Sequence, residues 1–198
     1  VVPRAIADLA VATSSGSGEV LDASLPPAPA KGTLTAAFAE HFFTLYLAAK
    51  QANGGANLSE DDMRDIANEA LNSLAATIAP APDFKSAKDL TVSGSGPGAL
   101  TDFAAKAEAV LLKNTSTATT SEINYLKNAL LNNDATAFPH IVSIAKAYRD
   151  SAVGLAVLPV PEELVVEYLT LVNAMMRESQ IAGDFARADT DPLATMLA

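Results

Sequence analysis

The chain has 198 residues, a formal net charge of -10 and no cysteine, which removes disulfides, thiolate chemistry and Cys-based metal centres together. An acidic surface repels a phosphate backbone and the few Lys and Arg form no basic stripe, so nucleic acid is not expected as a partner. Hydrophobic residues make up 49% and charged residues 18%, enough to bury a core, and the alanine share favours helices that approach closely.

Residues 1–32 read as an extended arm. Residues 1–12 form a short apolar piece, either one or two helical turns or an added strand. Thr13 to Gly18 is a flexible linker, and the Pro-rich run from Leu25 to Lys31 is an extended spacer. The apolar tip, Val1, Val2, Ile6 and Leu9, needs burial, on its own domain or on a neighbouring subunit. The start carries neither an initiator Met nor a basic-then-apolar signal, which reads as a processed or trimmed chain. No apolar run is long enough to span a bilayer.

Residues 33–198 read as one helical domain of six to seven helices, an all-α bundle. The first helix, about 33–53, puts Leu34, Phe38, Phe42, Leu45 and Ala49 on one face. Phe43, Tyr46 and Leu47 widen the apolar surface, so this is expected to be the central helix, with Gly54-Gly55 as its stop. Ser59 caps the second, where Met63, Ile66, Ala67, Ala70, Leu71, Leu74 and Ile78 repeat at three and four until Pro80 and Pro82. Asp89 to Val92 is a candidate extended segment and Gly94 to Gly98 a loop. The third helix carries Leu100, Phe103, Ala107, Val110 and Leu111. Thr119 and Glu122 have capping-box spacing for a short fourth helix through Asn132.

The fifth helix, about 136–157, accepts Pro139 in its first turn and stripes Ile141, Ile144, Ala145, Tyr148, Ala152 and Leu155. Pro159-Val160-Pro161 is a hard break. Glu162 and Glu163 open the sixth, with Leu164, Tyr168, Leu171, Met175 and Ala182 aligned. Pro192 to Ala198 starts a seventh. Short connections between helices three to six favour antiparallel neighbours.

No catalytic, metal or cofactor set emerges. His41 has Ala37, Thr44, Leu45 and Ala48 at helical spacing, none of them a ligand, so it reads as a core or boundary residue. His140 reads as solvated. Asp62, Asp65 and Glu69 diverge on a helix, where calcium needs a looped cage. Asp189-Thr190-Asp191 resembles half a calcium loop, but Pro192 stands where a ligand belongs, and Asp191 reads as a helix cap. The Gly94–Gly98 loop lacks the Lys-Ser/Thr pair of a phosphate cradle. Two sequons, at Asn57 and Asn114, matter only in a glycosylating host. No Gly-x-Ser-x-Gly elbow or triad is present.

The Phe-Phe-rich first helix, the capped LSEDDMRDIANEAL helix, the LPVPEELVVEYLTLVNAMM run and the closing DTDPLATMLA segment come in a familiar order. Over about residues 33–198 the chain resembles uncharacterised, membrane-anchored extracytoplasmic helical-domain proteins of reduced-genome, candidate-phyla bacteria. It departs from them in the arm, which lacks calcium-type Asp repeats. The resemblance implies a place on the cell surface or envelope, with the membrane reached only through an anchor absent from this chain. It carries over no catalytic residues.

The expected function is a non-enzymatic envelope or surface module that binds protein, including itself, through the arm as a homo-oligomer or filament. The alternative is an extracytoplasmic ligand-binding domain with an apolar pocket lined by Phe38, Phe42, Tyr46, Tyr148, Tyr168 and Met175. For those six, plain core packing is the simpler reading.

Overall fold

The structure is a computed structural model and describes residues 28–79 and 81–198. The arm's apolar tip, Val1, Val2, Ile6 and Leu9, and the part assigned to Pro80 lie outside the described residues. The described residues form seven α-helices: α1 Leu34–Ala52, α2 Glu60–Thr77, α3 Gly96–Lys113, α4 Glu122–Leu131, α5 Phe138–Ala156, α6 Val165–Phe185 and α7 Pro192–Leu197. The described residues form no strand, so the class is all-α as the periodicity requires.

The body is built on the α5–α6 pair, with α3 and α4 laid against α5. α3 packs on α5 rather than on α4, its neighbour in sequence, because the polar run after Lys113 is long enough to carry the chain away. Along α5, Ile141, Ile144, Ala152 and Leu155 are buried, with Ala145 and Tyr148 at the margin. This is the 3.6-residue stripe read from the sequence.

Two clusters result. Leu90, Phe103, Leu155, Val160, Tyr168 and Val172 fill one, and Tyr125, Ala129, Ala137, Ile141, Ile144 and Ala182 fill the other. Leu111 and Leu171, placed on inner faces by periodicity, are exposed.

Local chemistry sets the helix ends. At the end of α1, Gly55 N–H donates to the Lys50 carbonyl (2.8 Å) and Gly54 N–H to that of Gln51 (3.2 Å). Both glycines have φ near the left-handed region, 65° and 85°, which makes this a Schellman stop. Ser59 and Asp62 form a reciprocal capping box at the start of α2.

The fourth helix corrects the sequence reading. Its cap is Ser121, which accepts from Asn124 N–H, while Thr119 meets the Tyr125 hydroxyl instead. Ser121, directly before Glu122, has the extended backbone that a cap needs.

The segment before α3 is also corrected. Residues 87–89 make a 3-10 turn, and extended pairing shrinks to one parallel bridge between Val92 and Val160. Gly96, Pro97 and Gly98 already belong to α3, Pro97 fitting the first turn, where its missing N–H costs nothing.

The larger correction concerns α1. It was expected at the centre, yet none of its residues is buried. Its main contacts are with α2 and, at its start, with α7. The α1–α2 pair is therefore a lateral extension of the body, and the core is formed without α1.

Candidate functional site

Polar groups at the helix ends join the extension to the body. Asp191 is 3% exposed and its carboxylate serves two helices. It accepts from Ala194 N–H (3.4 Å) at the start of α7. It also accepts from Leu34 N–H (3.0 Å), Thr35 N–H (3.0 Å) and the Thr35 hydroxyl (2.8 Å) at the start of α1. Thr35 Oγ1 in turn accepts from Leu193 N–H (3.1 Å).

The accounting at α1 closes. Thr33 N–H donates to the Ala30 carbonyl, Leu34 and Thr35 donate to Asp191 and Ala36 to the Thr33 hydroxyl, so all four orphan donors of the first turn are met. Burial by itself would raise the Asp191 carboxyl. The bonds from Thr35, Leu34 and Ala194 outweigh it and hold the group below the ordinary carboxylate range.

Asn173 makes a second tie. Its side-chain amide donates to the Lys85 carbonyl (2.9 Å) and accepts from Lys85 N–H (2.8 Å), pinning the 81–95 connection to α6. The sequence reading missed it. The available signal was a polar residue directly after Val172 on an otherwise apolar stripe. Ser179, whose hydroxyl donates to the Ala145 carbonyl (2.8 Å), ties α6 to α5 in the same way.

The residues weighed for chemistry take structural roles. Glu163 accepts from Gly96 N–H at 2.6 Å, so a carboxylate already stands where a phosphate would meet the start of α3. That N–H holds the Glu163 carboxyl below its ordinary value. Asn114 caps α3 and its side chain donates to the Val110 carbonyl (3.0 Å).

His41 is a boundary residue and His140 is exposed, stacked on Tyr125 with centroids 4.6 Å apart. Asp62, Asp65 and Glu69 are exposed along an open groove between α1 and α2, beside Ala49 and Ile66. Among the described residues, no three His, Asp or Glu side chains gather in a way that could hold a metal ion.

The six side chains proposed for an apolar pocket do not share one. Tyr168 stands edge-on to Phe103 at 5.0 Å in one core cluster, with Met175 at its margin. Tyr148 borders the other cluster. Phe38 and Phe42 lie 5.8 Å apart on α1, and Tyr46 stacks on Phe43 at 6.3 Å.

Tyr168 has a measurable consequence. Its hydroxyl donates to the Leu155 carbonyl in the last turn of α5, and burial pushes its pKa up to about 12. The folded state then holds the proton more tightly than the unfolded chain, whose tyrosines titrate near 10. The resulting stability is complete below pH 10 and drains away as pH rises toward 12. Y168F should remove this alkaline dependence in urea titrations, while lowering neutral-pH stability by about 1 kcal/mol. An unchanged alkaline slope in that variant would refute the assignment.

What remains unexplained by packing is α1 itself. It is the most apolar of the long helices, yet Phe43 is 56% and Leu47 42% exposed. No protein-family model, curated protein or solved structure matches the chain.

Proposed function

We propose that the chain is a non-enzymatic protein-interaction module that associates with itself and works at the cell envelope, outside the cytoplasmic membrane. The observation that supports it is α1, a strongly apolar helix that buries none of its own residues. Apolar area left in water forgoes about 25 cal/mol per Å² of stabilisation. A helix kept in that condition is best explained by a partner surface.

The envelope location rests on the family resemblance. No helix among the described residues is long and apolar enough to cross a membrane. The arm's apolar tip, Val1, Val2, Ile6 and Leu9, supplies a second contact. Docked on the next copy it makes a head-to-tail interface that propagates toward a filament.

Sedimentation and small-angle scattering of the full chain at rising micromolar concentration test the reading. Mass should grow with concentration, and the I6D/L9D double variant should assemble less far. A compact monomer throughout, with the arm folded back on its own domain, would overturn it.

A further inference from the structure

Along one side of α1, half-buried Ala36, exposed Glu40, Phe43 and Leu47, and half-buried Lys50 succeed one another at spacings of four, three, four and three. That alternation averages 3.5 residues, the repeat of a helix seam that faces another helix. Helical geometry puts this seam opposite Ala49, which lines the groove against α2. The side of α1 that α2 covers and the side that carries the seam are therefore different.

The seam is nearly a palindrome about Leu45. Phe43 and Leu47 lie two residues on either side, and Glu40 and Lys50 five residues on either side. Apart from His41, Glu40 and Lys50 are the only side chains on α1 that can carry charge. Among the described residues neither has an ion-pair partner. Lys50 Nζ instead rests over the Tyr46 ring, 5.8 Å from its centroid.

We propose that α1 is a homotypic docking surface that pairs antiparallel with α1 of a second copy about a two-fold axis that passes between Phe43 and Leu47, at the level of Leu45 along the helix. In that register Phe43 of each copy meets Leu47 of the other, and Glu40 of each meets Lys50 of the other. A parallel pairing sets Glu40 on Glu40 and Lys50 on Lys50, so the charges select the antiparallel form.

The inference rests on self-association but not on the arm. An isologous contact of this kind closes at two copies, whereas a head-to-tail arm contact continues. The two are separable.

The absence of cysteine makes the register directly readable. Full-length E40C and K50C chains are mixed and treated with a short bis-maleimide. Cross-linked dimer should form in the mixture and not with either chain alone, because like positions lie about 15 Å apart along an antiparallel pair. Cross-linking of each chain alone, with no E40C–K50C heterodimer in the mixture, would mean a parallel pair and would overturn the proposal.

Charge reversal supplies the second measurement. E40K or K50E alone should weaken dimerisation roughly tenfold, and E40K/K50E together should restore it. Glu40 is exposed and Lys50 half-buried on α1, and the recovered double variant controls for folding. The I6D/L9D chain should stop at a dimer that still responds to charge reversal. If the wild-type chain self-associates but is blind to both charge reversal and the mixed cross-link, the α1 seam is wrong and arm-driven assembly stands. If it is monomeric throughout, both fall.

Discussion

Replacing Asp191 with alanine is expected to cost about 3 kcal/mol, a large fraction of the stability of a domain this size. The variant loses the acceptor for Leu34 N–H, Thr35 N–H, the Thr35 hydroxyl and Ala194 N–H at once. Removing an ordinary cap costs about 1 kcal/mol, and here one carboxylate caps two helices from a buried position. D191N keeps one acceptor and should fall between.

The effect depends on pH with a definite sign. The folded carboxyl lies below its unfolded value, so its contribution is present above the ordinary carboxylate range and is lost as pH falls through the folded value. D191A should therefore flatten the acid limb of the stability curve as well as lower its plateau. Urea midpoints taken from neutral to acidic pH would show both. A loss at neutral pH under about 0.5 kcal/mol would mean that water replaces the carboxylate freely.

The second large effect is a contrast between two glycines in helices. Alanine in place of glycine in a helix normally stabilises by about 1 kcal/mol. At Gly183 a Cβ meets nothing within 4 Å, and G183A should gain about that amount. At Gly154 a Cβ would lie 2.7 Å from Val110 Cγ1. Valine is stiff about χ1 and cannot swing aside cheaply, so α3 and α5 must separate.

G154A should thus destabilise by about 2 kcal/mol, the usual cost of overpacking. The V110A/G154A pair should cost less than the sum of its parts. Equal shifts for G154A and G183A in denaturant unfolding would remove the close α3–α5 approach from the account.

Periodicity was most informative where one face of a helix is wholly buried. The stripe of α5 could be read because Ile141, Ile144, Ala152 and Leu155 are all buried along one face of the helix. The caps at Ser59 and Asp191 were legible too, since a side-chain acceptor beside a helix start depends on few neighbours. Asp191 as a cap for α1, however, involves a helix 157 residues earlier, and no local pattern announces that.

The misplacement of α1 has a different origin. Hydropathy reports how apolar a helix is, not what covers it, so Phe38, Phe42 and Phe43 on one helix looked like the centre of a core. The candidate pocket failed for the same reason. Tyr46, Tyr148 and Tyr168 share a composition signal, but the fold sends them to three places.

The junction at Asp191 also bears on the order in which the chain assembles. Leu34 cannot find its acceptor until α7 has been set on the end of α6, and joining segments so far apart demands a large loop-closure entropy. The lateral pair is thus expected to attach after the α5–α6 nucleus has formed. Contacts made after the rate-limiting barrier govern how fast the native state is left, not how fast it is reached. By this reasoning one carboxylate late in the sequence is expected to set the kinetic lifetime of the attachment of α1.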